Sequence, residues 1–157
     1  SWGHNFNPTY KSPERLIHTL IDVVSKGGNY LLNVAPTPEG TFEEEAYETL
    51  AEIGRWIKVN GEGIYGTRLH EPFSEGETVR FTRSKDGRTV YVFLLEWPGE
   101  DLHLRSVQVQ EGSDIVLLGH GQSLEWSSRA DDVLVQLPPG LEEAGAHAWA
   151  IRITAPE

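Results

Sequence analysis

From about Glu77 to the C-terminus the sequence is cut into short alternating runs separated by Gly, Pro and Asp, and this punctuation narrows the fold more than any other feature. Alternation with a period of two puts apolar side chains on one face of a strand and polar ones on the other. Thr78 to Arg83 and Thr89 to Leu95 flank Asp86-Gly87, the signature of a hairpin. Further predicted strands are Leu102 to Val109, Asp114 to Leu118, Ser123 to Trp126, Val133 to Leu137 and His147 to Thr154. In the last of these, Trp149, Ile151 and Ile153 share one face while Ala148, Ala150 and Arg152 share the other. Short strands at this spacing predict an antiparallel β-sandwich.

The first 66 residues have a different texture. Ser12 before Pro13 and Glu14 reads as a helix start, because serine accepts from free amides of the first turn and proline is pre-organised at the first helical position. Leu16, Ile17, Leu20, Ile21 and Val24 then fall on one helical face, and Gly27-Gly28 supplies the stop. Tyr30-Leu31-Leu32-Asn33-Val34-Ala35 is apolar at almost every position, which predicts an interior parallel strand covered on both faces. Thr41 to Glu44 has capping-box spacing, and a second helix is expected with Phe42, Ala46, Leu50, Ile53 and Ile57 on its inner face and Asn60-Gly61 at its end. Helix, covered strand, helix is the grammar of a parallel α/β fold, yet only one such strand is present. The expectation is that neighbouring strands come from sequence preceding Ser1, consistent with a chain that has no methionine and opens on Ser1-Trp2.

Charge and composition exclude several function classes. The formal charge of −11 is spread over separated Asp and Glu residues with no basic run, so nucleic acid and anionic membrane surfaces are poor partners. No stretch approaches the roughly 18 apolar residues of a spanning helix. The absence of cysteine removes disulfides, thiol nucleophiles and thiolate zinc sites. His4, His18, His70, His103, His120 and His147 show no i, i+4 pair of the kind that places two imidazoles on one metal, so no metal or other cofactor is expected. Gly61-Glu62-Gly63-Ile64-Tyr65-Gly66 matches the glycine pattern of dinucleotide sites, but it follows a helix rather than a strand and reads as a structural turn. Glu43, Glu44 and Glu45 suggest paired catalytic carboxylates, yet acids at a helix start are explained by the positive end of its dipole.

Trp2, Gly3, His4 and Asn5 crowd an aromatic ring, an imidazole and an amide together just before the first helix. Aromatic faces pack on the apolar side of sugars, and Asn or His meets hydroxyls. A core tryptophan at a strand end is the competing reading.

These residues resemble the retaining α-L-fucosidases of glycoside hydrolase family 29. Ser1-Trp2-Gly3-His4-Asn5 is similar to the family's Ser-Trp-Gly-Tyr-Asn segment, and Tyr10-Lys11-Ser12 resembles the residues just after that segment in the family. The stretch from Ser25 through Gly27-Gly28-Asn29 to Asn33 and Pro36 resembles the last barrel strand and its lead-in. Ile53 to Trp56 and Asn60 to Thr67 resemble the last barrel helix and its exit. The likeness continues through Val90 to Pro98, Ile115 to Trp126 and Ala148 to Thr154. It implies an α/β plus all-β chain, with residues 1–66 forming the end of a (β/α)₈-like barrel and residues 67–157 a C-terminal β-sandwich. A whole barrel needs about 250 residues, so this chain would hold only its last part. The family's Asp nucleophile and Glu acid/base have no matching position here.

The resemblance carries over Trp2 as an aromatic wall of the sugar site, and His4, where the family usually has Tyr, as a second contact. Asn33 is a third substrate-binding candidate, at the C-terminal end of the inferred strand, the face on which barrel active sites are built. The implied activity is removal of terminal α-L-fucose from glycans with retention, the chain alone being inactive. The implied partners are a fucosylated glycan and the remaining part of the barrel, with self-association left open. The alternative is a non-catalytic carbohydrate-binding or assembly subunit of a split glycosidase.

Overall fold

A computed structural model describes residue 5 and residues 8–157, so Trp2 and His4 lie outside the described residues. Helix α1, Pro13–Ser25, starts as its sequence dictates: the Ser12 hydroxyl accepts from the Arg15 amide at 3.2 Å. It ends where Gly27, at φ +79°, turns the chain into the left-handed region. The Gly28 amide donates to the Val23 carbonyl and the Gly27 amide to that of Val24, each at 2.9 Å, closing both ends of a Schellman cap. Helix α2, Glu44–Asn60, buries Ala46, Ile53, Trp56 and Asn60.

Two expectations for this region are corrected. Residues 29–36 join no strand ladder, and Leu31 is 89% exposed. A parallel strand needs partner strands to take its backbone N–H and C=O groups, and no described residue supplies one. The capping box at Thr41 to Glu44 does not form either, because α2 begins two residues later than expected, with Glu43 at its N-cap. The Thr41 hydroxyl instead meets that of Thr37 at 3.0 Å and closes the preceding turn.

The remaining chain is antiparallel throughout. Strands β1 (Arg68–Glu75), β2 (Val79–Arg83), β3 (Thr89–Leu94), β4 (Asp101–Leu104), β5 (Ile115–Leu117), β6 (Ser123–Leu124), β7 (Trp126–Arg129), β8 (Asp132–Gln136) and β9 (Trp149–Thr154) form two sheets. One has the order β1-β2-β3-β9-β5-β6 and the other β4-β8-β7. Between them lies a core that includes Phe81, Val92, Leu104, Val135, Ile151 and Ile153. The run expected over Leu102 to Val109 forms a ladder only as far as Leu104.

The alternation of β3 and β9 explains a third layer. Val90, Val92 and Leu94 point into the sandwich, while Tyr91 and Phe93 face the other way and pack with Leu16, Ile17, Ile21, Ile53 and Trp56 of the helices. The small residues Ala148, just before β9, and Ala150, on it, let α2 approach, and the Trp56 indole N–H donates to the Ala148 carbonyl at 2.9 Å. The molecule is therefore a helical layer on a sheet on a second sheet, with two apolar interfaces.

Asp22 fastens the helical layer at another point, accepting from Arg80 Nε at 2.9 Å and from Lys26 Nζ at 2.6 Å. Partial burial would raise its pKa, but the hydrogen bonds from Lys26 and Arg80 outweigh that and hold the carboxyl below its usual value of 3.8. A depressed carboxylate stabilises the fold above its unfolded pKa, and the contribution is lost as pH falls through the lower folded value. Asp22→Asn should therefore cost about 1 kcal/mol at pH 7, solvent screening limiting the pair. Urea melts of both proteins across acidic pH should show that penalty shrinking below pH 3.8. A penalty that does not change with pH would refute the electrostatic account.

Candidate functional site

A cleft of about 340 Å³ opens between the segment before α1, residues 32–35 and the N-terminal halves of the two helices. Asn5 and Asn33 both line it, so the turn after α1 brings together two amides that are far apart in sequence. Thr9, Tyr10, Lys11 and Thr49 add hydroxyl and ammonium groups, and Leu16, Leu32, Val34 and Ala35 supply the apolar wall. Loss of hydration, followed by repulsion from Glu43 and then Glu45, raises the pKa of the Tyr10 phenol. It stays a neutral donor and acceptor through physiological pH. This mixture of amides and hydroxyls over an apolar surface suits a small polyhydroxylated ligand, and the volume lies within the range of small-molecule pockets.

Of the three sequence candidates, only Asn33 can be placed, and it lies on the cleft. Trp2 and His4 precede Asn5 in sequence but fall outside the described residues. Thr49 is a cleft residue that sequence reasoning misses. Its one signal is a hydroxyl set between Ala46 and Leu50 on an otherwise apolar helical stripe.

No Asp or Glu is among the described residues lining the cleft. Among the described residues no group of three or more His, Asp or Glu is arranged to hold a metal ion. His18 and His147 do meet, but through the His147 carbonyl, which lies 2.6 Å from His18 Nε2. The glycine run 61–66 is a structural turn beneath the sheet. Its Gly63 carbonyl accepts from the buried Thr82 hydroxyl at 2.7 Å, and a Cβ on Gly63 would fall 2.7 Å from Phe93 Cζ.

Residues 1–62 match the family described as Alpha-L-fucosidase, and residues 74–154 match the Alpha-L-fucosidase C-terminal domain, which covers more than half of the chain. The chain belongs to the α-L-fucosidase family. It is similar to the human plasma alpha-L-fucosidase, at 36% identity over 148 residues that cover 88% of this chain and 31% of that protein. It is also similar to the human tissue alpha-L-fucosidase, at 33% identity over 162 residues that cover 98% and 34%. The structure of the Thermotoga maritima alpha-fucosidase in complex with a mechanism-based inhibitor superposes with a TM-score of 0.84 at 31% identity. That match covers 98% of this chain and 37% of the other. Isoenzyme 1 from Paenibacillus thiaminolyticus gives a TM-score of 0.84 at 27% identity. This fucosidase-family chain thus spans about a third of the length of the relatives it matches. Its antiparallel sheets with two packed helices have the architecture of the family's C-terminal sandwich.

Proposed function

We propose that this chain is the C-terminal share of an exo-acting, retaining α-L-fucosidase that removes terminal α-L-fucose from glycans. Residues 1–66 would complete a (β/α)₈-like catalytic barrel, and residues 67–157 form the sandwich that buttresses it. The observation that carries this reading is the placement of Asn33 and Asn5 on one cleft whose described lining has hydroxyl-binding groups and no carboxylate. Such a site can hold a sugar without cleaving it. Retention needs a nucleophile and an acid/base carboxyl about 5–5.5 Å apart, which this reading assigns to the preceding part of a longer enzyme. Trp2 is its aromatic wall, His4 a second contact and Asn33 a hydroxyl partner. The exposed Leu31 and the lack of a strand ladder over residues 29–36 among the described residues fit a segment that becomes a barrel strand when neighbouring strands are supplied.

Hydrolysis of an aryl α-L-fucoside tests the proposal. The purified 157-residue chain should give no turnover, and the same chain preceded by its upstream coding sequence should give clear turnover with retained anomeric configuration. Turnover that copurifies with the 157-residue chain alone would overturn the assignment of the carboxylates. Inactivity of the longer protein would overturn the function.

A further inference from the structure

A second and larger cavity, of about 900 Å³, shares Leu16 and Leu32 with the cleft. Its walls are largely apolar: Leu20 and Val24 of α1, Ile57 of α2, Leu32, and Ile64 and Leu69 where the chain passes into the sandwich. Protein interiors pack about as densely as organic crystals and hold few voids larger than a water molecule. An apolar space of this size is therefore an unfilled interface. The side chains around it agree, because Leu20, Val24, Leu32 and Ile57 are only partly buried at the margin of the helical core. Tyr65 and Leu69, on the cavity wall, are 67% and 37% exposed, and Leu31, next to Leu32, is 89% exposed. Contiguous apolar surface of this kind marks an interaction site.

Exposure along residues 30–34 alternates as it does on a strand: Tyr30, Leu32 and Val34 are half-buried, whereas Leu31 and Asn33 are exposed. Yet the segment joins no strand ladder among the described residues, so its flank is open to one. Side chains of neighbouring strands share faces. A strand laid along this flank would send one set of side chains over Leu31 and the other toward the wall that Tyr30 and Leu32 give the cavity. No described residue of this chain supplies that strand, but the chain spans only 31% and 34% of the two human relatives. The portion preceding Ser1 would enter close by, because Asn5 lines the cleft that shares two wall residues with the cavity.

We propose that the open flank of residues 30–34 and the cavity beside it form a docking surface for one apolar β-strand of the portion preceding Ser1, and that this surface holds the two parts together without a peptide bond. The identity of the occupant rests on the fucosidase reading, whereas its docking is measured without substrate. The upstream portion and the tagged 157-residue chain are produced in one cell as separate polypeptides, and the tag is captured. The expected result is a stoichiometric complex of the two. In it the amides of residues 30–34 should exchange with deuterium about a hundredfold more slowly than in the 157-residue chain alone, while those of β7 exchange alike. Leu31→Asp should leave the melting of the 157-residue chain unchanged, since Leu31 stands in solvent, and should weaken the complex about tenfold or more by burying a charge. Ser127→Asp, at an exposed position of β7, should change neither. Absence of a complex, unchanged exchange at residues 30–34, or wild-type assembly by Leu31→Asp would overturn the docking surface. An active single-chain enzyme whose separate parts do not assemble removes this proposal alone, and assembly with an inactive single-chain enzyme removes the fucosidase reading alone.

Discussion

Trp56→Ala is expected to lower the unfolding free energy of this chain by about 3–5 kcal/mol, the range for truncating a large buried aromatic. Trp56 is 5% exposed, and its ring lies 6.3 Å from that of Phe93 across the boundary between α2 and the six-stranded sheet. Truncation removes this contact and also orphans the buried Ala148 carbonyl that accepts the indole N–H. Trp56→Phe separates the two losses, because it keeps most of the apolar area and drops only the hydrogen bond. That variant should cost about 1–2 kcal/mol. Chemical denaturation of the three proteins checks both figures. A Trp56→Ala loss below about 1 kcal/mol would mean that the helical layer is not coupled to the sheet in the way the packing indicates.

The helix-to-sheet coupling is only half legible in the sequence. Ser12, Pro13 and Gly27 announce α1 because caps are local chemistry, and the hairpin around Asp86-Gly87 is legible for the same reason. Strand β1 is not. Pro72 within a largely polar run argues against a strand, and such a run is tolerated because β1 lies at the sheet edge. The most instructive contrast is between Thr89 to Leu94 and Tyr30 to Ala35, two runs that are apolar on both faces. The first, expected as an alternating hairpin strand with one polar face, lies between β2 and β9 with a helical layer over its outer face, so Tyr91 and Phe93 are covered as well as Val90 and Val92. The second finds no partner strand among the described residues, and the same texture leaves Leu31 in solvent. Apolarity reports a demand for burial and says nothing about where the covering atoms come from. The cleft behaves similarly: Asn33 is legible as the polar interruption of an apolar run, while Thr49 enters only once α2 is placed against residues 32–35.

Removing residues 1–66 provides the stronger test, since it strips a whole layer instead of one side chain. The sandwich core around Phe81, Val92, Leu104, Val135 and Ile151 lies wholly within residues 67–157, so that piece should still unfold in one cooperative transition. Its stability should nevertheless fall. Tyr91, Phe93 and Leu118 lose the side chains of Leu16, Ile21, Ile53 and Trp56 that cover them, along with the close approach over Ala148 and Ala150. At about 1.5–3 kcal/mol for each large apolar side chain returned to water, exposing Phe93 and Leu118 alone should cost ~3 kcal/mol or more. The bared β3–β9 face also forms one contiguous apolar patch, the kind of surface through which soluble domains self-associate. Residues 67–157 should therefore melt well below the 157-residue chain, bind a dye that reports exposed apolar surface, and sediment as a concentration-dependent oligomer. Adding residues 8–66 as a separate peptide should reverse all three if the helical layer forms on the sheet surface. An isolated sandwich that is monomeric, dye-silent and as stable as the full chain would show that the helices contribute nothing to its fold. The division at residue 66 would then separate two independent domains instead of two layers of one packed structure.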